Sequence, residues 1–110
     1  MGYDEELADR LRERVQGEVG VSEKRMFGGL AFLVNGNMAV SASSQGGLLL
    51  RVDPSRAGPL AAEPDAQKAV MRGRELDGWL RIGPEGVRTA QDLERWVSIA
   101  LDYARTLPPR

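Results

Sequence analysis

The stretch LAFLVNGNMAVSASSQGGLLLRV, residues 30–52, decides the fold class. Leu30 to Val34 is apolar at every position, as in a strand covered on both faces or one kinked by the glycines before it. Asn35-Gly36 follows, a pair suited to a type I′ hairpin turn, whose two central residues both need φ above zero. Met38, Val40 and Ala42 then alternate with Ala39, Ser41 and Ser43, so the returning strand has a drier and a wetter side. Ser43 to Gly47 supplies the next turn, and Leu48 to Val52 returns with Leu48, Leu50 and Val52 on one face. Three strands joined by two tight turns predict an antiparallel meander.

Ahead of the meander stands Lys24-Arg25-Met26-Phe27-Gly28-Gly29. Two readings compete there. Glycine within a strand marks a bulge or a close backbone approach, so Gly28 and Gly29 would bend the first strand while Met26 and Phe27 pack in the core. The other reading sets Lys24 and Arg25 beside exposed glycine amides as an anion site. The segment is not a phosphate loop, since no Gly-Lys-Ser/Thr follows and no GxGxxG opens a helix. Farther upstream, Leu7, Leu11 and Val15 make one apolar stripe of a helix from Asp4 to Val19.

Downstream, Asp53-Pro54 starts a short helix, with Asp53 as N-cap and Pro54 in the first turn. Residues 61–66 read as a loop. Ala69 to Met71 and Trp79 to Ile82 are two strands joined through Arg72 to Gly78, and Gly83-Pro84-Glu85-Gly86 breaks the sheet. Thr89 caps the last helix, whose Leu93, Trp96, Val97, Ala100, Leu101 and Ala104 keep helical spacing throughout. The order α-β-β-β-α-β-β-α predicts an α+β fold of two layers. An antiparallel sheet of about five strands carries the helices on one face, within a single domain of residues 1–110.

Composition removes several chemistries. The chain has no cysteine and no histidine, hence no disulfide, thiolate nucleophile, imidazole base or His-ligated metal. Ser41, Ser43 and Ser44 have no base at a recognisable spacing. No catalytic residue, metal ligand or cofactor is expected, and the protein is read as no enzyme. A net charge of −1, from 15 basic and 16 acidic residues, supplies no general attraction to a polyanion. With no helix-turn-helix spacing and no aromatic series among the basic residues, nucleic acid is not an expected partner. The acidic start lacks the pattern of a secretory signal, and the longest apolar stretch is far below the ~20 residues that span a bilayer. A cytoplasmic protein with no membrane partner is the expectation.

Arg51, Arg72, Arg74 and Arg81 would join Lys24 and Arg25 in one basic surface if the meander and the second hairpin lie side by side. Arginine suits bidentate contacts to phosphate or carboxylate. The competing reading pairs these cations locally with Glu23, Glu75 and Asp77 on a solvated face. Trp79 and Trp96 are read as core anchors, with a ligand contact as the other role for Trp79.

The blocks Lys24 to Gly29, Leu49-Leu50-Arg51-Val52-Asp53, Met71 to Arg74 leading to Gly78-Trp79, and the last helix with Trp96 and Tyr103-Ala104 together resemble the TfoX (Sxy) N-terminal domain family. That family takes its name from a regulator of bacterial DNA uptake. The resemblance implies a compact domain, often dimeric, with no established catalytic residues. Full-length regulators carry a second, C-terminal domain, so a stand-alone domain is expected here. The expected function is a non-enzymatic regulatory or protein-interaction domain related to competence, a homodimer with a further unknown protein partner. The strand Leu48 to Val52 is apolar enough to need a partner if it lies at a sheet edge. The alternative is a small anion or nucleotide module seated between the Lys24–Gly29 segment and the Arg72–Arg74 loop. Lys24, Arg25, Phe27, Gly28, Gly29, Arg51, Arg72, Arg74 and Trp79 are the candidate ligand- or partner-binding residues.

Overall fold

The computed structural model describes residues 2–110. The Asp4 carboxylate accepts hydrogen bonds from the Glu6 and Leu7 amides at 2.9 and 3.2 Å, which satisfies two donors that a helix start leaves unpaired. Helix α1 (Glu5–Val15) follows and buries Leu7, Ala8, Leu11 and Val15. It ends before the expected Val19, because Gly17 takes a left-handed φ of +87° that stops the helical ladder.

Among the described residues six strands form where about five were expected: β1 (Val21–Met26), β2 (Gly29–Val34), β3 (Asn37–Ala42), β4 (Leu48–Arg51), β5 (Ala66–Met71) and β6 (Arg74–Ile82). They make one antiparallel sheet in the order β1-β2-β3-β4-β6-β5. The additional strand is β1. Four of its consecutive residues, Ser22 to Arg25, are exposed, so neither alternation nor an apolar run marks it. The second hairpin is also longer than expected. Its link shrinks to the turn Arg72-Gly73, and Arg74 to Gly78 joins β6.

Helix α2 (Pro54–Ala61) starts under the Asp53 carboxylate, which accepts from the Ser55 amide at 2.9 Å. A 3-10 turn, Pro84–Val87, occupies the predicted break. Helix α3 (Ala90–Ala104) is capped by Thr89, whose Oγ1 accepts from the Asp92 amide at 3.0 Å.

All three helices pack on one face of the sheet. Leu30, Phe32, Val40, Leu48, Leu50, Leu80 and Ile82 meet Leu7, Leu11, Leu60, Trp96, Val97 and Leu101 in a single core. Trp96 is the buried anchor expected of it. Strand β4 lies between β3 and β6, so its leucines are covered within the chain. The case for a partner at that strand therefore falls away.

Ion pairs tie α1 to α3. Arg14 pairs with Glu18 at 3.0 Å and with Glu94, and Arg105 pairs with Glu18 at 2.8 Å. The C-terminal segment rests on the β2–β3 turn, where Asn37 Nδ2 donates to the Pro108 carbonyl at 2.9 Å and the Arg110 amide to that of Asn35 at 2.8 Å.

Candidate functional site

Antiparallel pairing puts facing residues on the same side of a sheet. The row Phe32, Val40, Leu50 and Leu80 lies under the helices. The adjacent row, Lys24, Ala31, Ser41, Leu49, Arg81 and Gln67, therefore lies on the other, open face. Arg51 and Trp79 face each other one step along the same side. The Arg51 guanidinium carbon stands 5.5 Å from the centre of the Trp79 ring, a cation–π contact. Trp79 is thus a half-buried residue of this face and is not the core anchor that Trp96 is.

The rest of the face mixes small, apolar and basic side chains. Ala31 and Ser41 sit low in its centre and are buried, while Leu33 and Leu49 are half-exposed. Arg81 donates to Ser43 Oγ at 2.9 and 3.3 Å, which holds its guanidinium over the β3–β4 turn. Beside it lies a cleft of about 430 Å³, lined by Gln45, Asp65, Gln67, Arg81 and Pro84.

Two of the expected carboxylate partners of the basic residues, Glu23 and Glu75, are engaged by other cations. Arg12 holds Glu23, with Nε at 2.8 Å, and its hydrogen bond keeps the Glu23 carboxyl below its ordinary range. Lys68 takes Glu75 at 3.9 Å. Among the described residues, no carboxylate lies within ion-pair distance of Lys24, Arg51 or Arg81. The open face therefore presents uncompensated positive charge around an indole.

The other candidates lie apart from this face. Phe27 was expected in the core, but it is 67% exposed. Met26 pairs with Gly29, so Phe27 and Gly28 are the two central residues of a hairpin turn, with φ of +54° and +77°. The glycines therefore reverse the chain between two strands and do not bend one. Gly29 has a steric role as well, since a Cβ there would collide with the Ala42 carbonyl oxygen.

Arg25 points to the helix side of β1, opposite to Lys24. It lines a cleft of about 300 Å³ with Tyr3, Glu5, Met26, Phe27 and Gly28. Arg72, at φ +54°, is the first central residue of the second hairpin's turn, and Arg74 follows that turn. Strands β1 and β5 are the two edges of the sheet, roughly 24 Å apart at ~4.8 Å per strand. No single small ligand bridges Lys24–Gly29 and Arg72–Arg74. The six basic residues likewise divide: Lys24, Arg51 and Arg81 share the open face, Arg25 lies on the helix side, and Arg72 and Arg74 lie at the far end of the second hairpin.

Leu33, Leu49 and Ser41 belong to this surface and were not singled out from the sequence. The alternation of β3 set Ser41 on its wetter side, but no local pattern says which side the helices leave open. Among the described residues, no group of three carboxylates is placed to hold a metal, and no helix is long and apolar enough to cross a membrane. The face offers cations, an indole and aliphatic surface, a chemistry suited to binding.

One antiparallel sheet, backed on a single face by three helices, defines a two-layer α+β domain with an open, basic and aromatic side. The family model of the TfoX N-terminal domain matches residues 13–104, most of the chain, and the protein belongs to that family. Comparison with curated proteins and with solved structures returned no match.

Proposed function

We propose that this domain is a non-enzymatic regulatory module that works by protein–protein contact, with the open face of its sheet as the contact surface. The observation that carries the reading is the Arg51–Trp79 pair, a half-exposed indole under a guanidinium without a carboxylate partner. Tryptophan and arginine are the residues that most often dominate binding energy at interfaces, and the flanking Leu33 and Leu49 supply apolar area around them. A partner that fits brings an aliphatic or aromatic centre and carboxylates for Arg51, Arg81 and Lys24. In this reading the domain acts in the bacterial cytoplasm, in the kind of regulatory role that its resemblance to competence regulators implies.

The test is partner capture with wild type and with the Arg51→Glu/Trp79→Ala double variant. Both substitutions are on a half-exposed face, so circular dichroism should show the same fold. Loss of a captured protein from the variant alone supports the reading. An identical set of captured proteins overturns it.

A further inference from the structure

The cleft beside Arg81 holds two opposite charges that do not meet. Its walls come from three segments that the sheet brings together: the β3–β4 turn with Gln45, the start of β5 with Asp65 and Gln67, and the end of β6 with Arg81. Each wall is held in place. The Ser43 amide donates to the Gly47 carbonyl and the Gly46 amide to that of Ser43, both at 3.0 Å, which closes the turn. A Cβ on Gly47 would collide with the Ile82 carbonyl oxygen, so the turn lies directly on the end of β6. On the other side the Gly83 amide donates to the Asp65 carbonyl at 2.8 Å, which carries the β5–β6 pairing one residue beyond both strands.

Arg81 is oriented within the fold itself. The buried Ser43 Oγ accepts from its Nη1 and Nη2, and also from the Gln45 amide at 3.1 Å. A guanidinium has five N–H donors, so three remain, Nε–H among them, and a carboxylate accepts from such donors in pairs.

Asp65 is exposed and lies two residues before Gln67, which faces Arg81, a distance of roughly 6.7 Å along the strand. Among the described residues, neither Asp65 nor Arg81 has an opposite charge within ion-pair distance. A cleft with one cation and one anion gives no net attraction to a phosphate or another dianion. It matches a small molecule that carries both charges close together.

We propose that this cleft binds a free α-amino acid, with the carboxylate on Arg81 and the ammonium on Asp65. The side chain lies between the amides of Gln45 and Gln67, which donate and accept and so suit a polar side chain over an aliphatic one. The cleft volume of about 430 Å³ falls within the roughly 300–1,000 Å³ usual for small-molecule sites.

Titration of the full chain with each free L-amino acid, followed through the amide signals of isotope-labelled protein, tests the proposal. At least one polar amino acid should saturate with a Kd below about 1 mM and shift the Gly46, Gln67 and Gly83 amides together. Arg81→Gln and Asp65→Asn should each weaken that binding about tenfold or more. Asparagine tolerates the left-handed φ of +66° at position 65, so the second variant keeps the fold even if the loss of Arg81 disturbs the turn. N-acetylation of the same amino acid removes its ammonium, which should cost wild type as much as Asp65→Asn does and cost that variant little more. No saturable shift with any amino acid overturns the proposal, as does binding that Asp65→Asn leaves intact. Equal affinity for the acetylated and the free amino acid overturns the place given to Asp65. The Arg51→Glu/Trp79→Ala variant keeps both charges of the cleft and should bind the amino acid as wild type does, so this proposal and partner contact through the open face fail separately.

Discussion

Phe27 sits at φ +54° with most of its surface in water, in a turn position that asparagine or glycine fills without strain. Asn35 holds the equivalent place in the β2–β3 turn at φ +51°. Replacing Phe27 by Asn should therefore raise stability by about 1 kcal/mol, because the strain falls and little buried area is lost. Urea unfolding followed by tryptophan fluorescence measures it, and a lower midpoint would mean that Phe27 holds the fold through its ring. The sequence misleads here for a definite reason. An aromatic residue beside an apolar strand reads as core, whereas the pairing of Met26 with Gly29 leaves Phe27 no place but the turn. Arg51 and Trp79 show the converse. Each was singled out by chemistry alone, and only the register of β4 on β6 makes them neighbours.

Helix α3 was legible almost to the residue, because its apolar series, its Thr89 cap and the prolines after it agree with one another. The cap is a single hydrogen bond at the helix start. Thr89→Ala should cost about 1 kcal/mol without changing the native spectrum, and Thr89→Ser should restore most of it. Equal midpoints for wild type and the alanine variant would show that the Asp92 amide finds another acceptor. Strand β1 is the opposite case. An edge strand with both sides wet has no apolar period, so its existence depends on the hydrogen bonds that β2 offers. The first helix also read too long, since Val19 continues the apolar impression past the glycine that ends it. Val19 is in fact 79% exposed.

Across the whole molecule, charge ties elements that are remote in sequence, and this sets how the fold responds to acid. Hydrogen bonds from Arg105 and Arg14 hold the Glu18 carboxyl below its ordinary value near 4.5. Arg12 does the same for Glu23 and Arg95 for Glu63, while Ser98 and then Arg14 lower Glu94. Each group is more acidic folded than unfolded, so folding favours its ionised form. That stabilisation is complete above the ordinary carboxylate value and is lost as pH falls through the lower, folded values. With no histidine in the chain, the melting temperature should be level between about pH 6 and 8 and decline below about pH 4.5. Glu18→Gln should make the decline shallower. Melting curves at several pH values test both statements, and a melting temperature that rises on acidification contradicts them.

The sequence alone determined the two-layer α+β class, the meander, the capped last helix and the family resemblance, because burial within one element leaves a local period of two or near four. It also offered candidates for binding by their chemistry. Tertiary structure decided where they go. Strand β6 inserts between β4 and β5, the helices all choose one face, and the two edges fall to β1 and β5. Those choices join Arg51 to Trp79, part Lys24 from Arg25 and place Val70 on an open rim. Strand order and register are set by the fit of side chains from segments far apart in the chain, and no short stretch of sequence contains both partners.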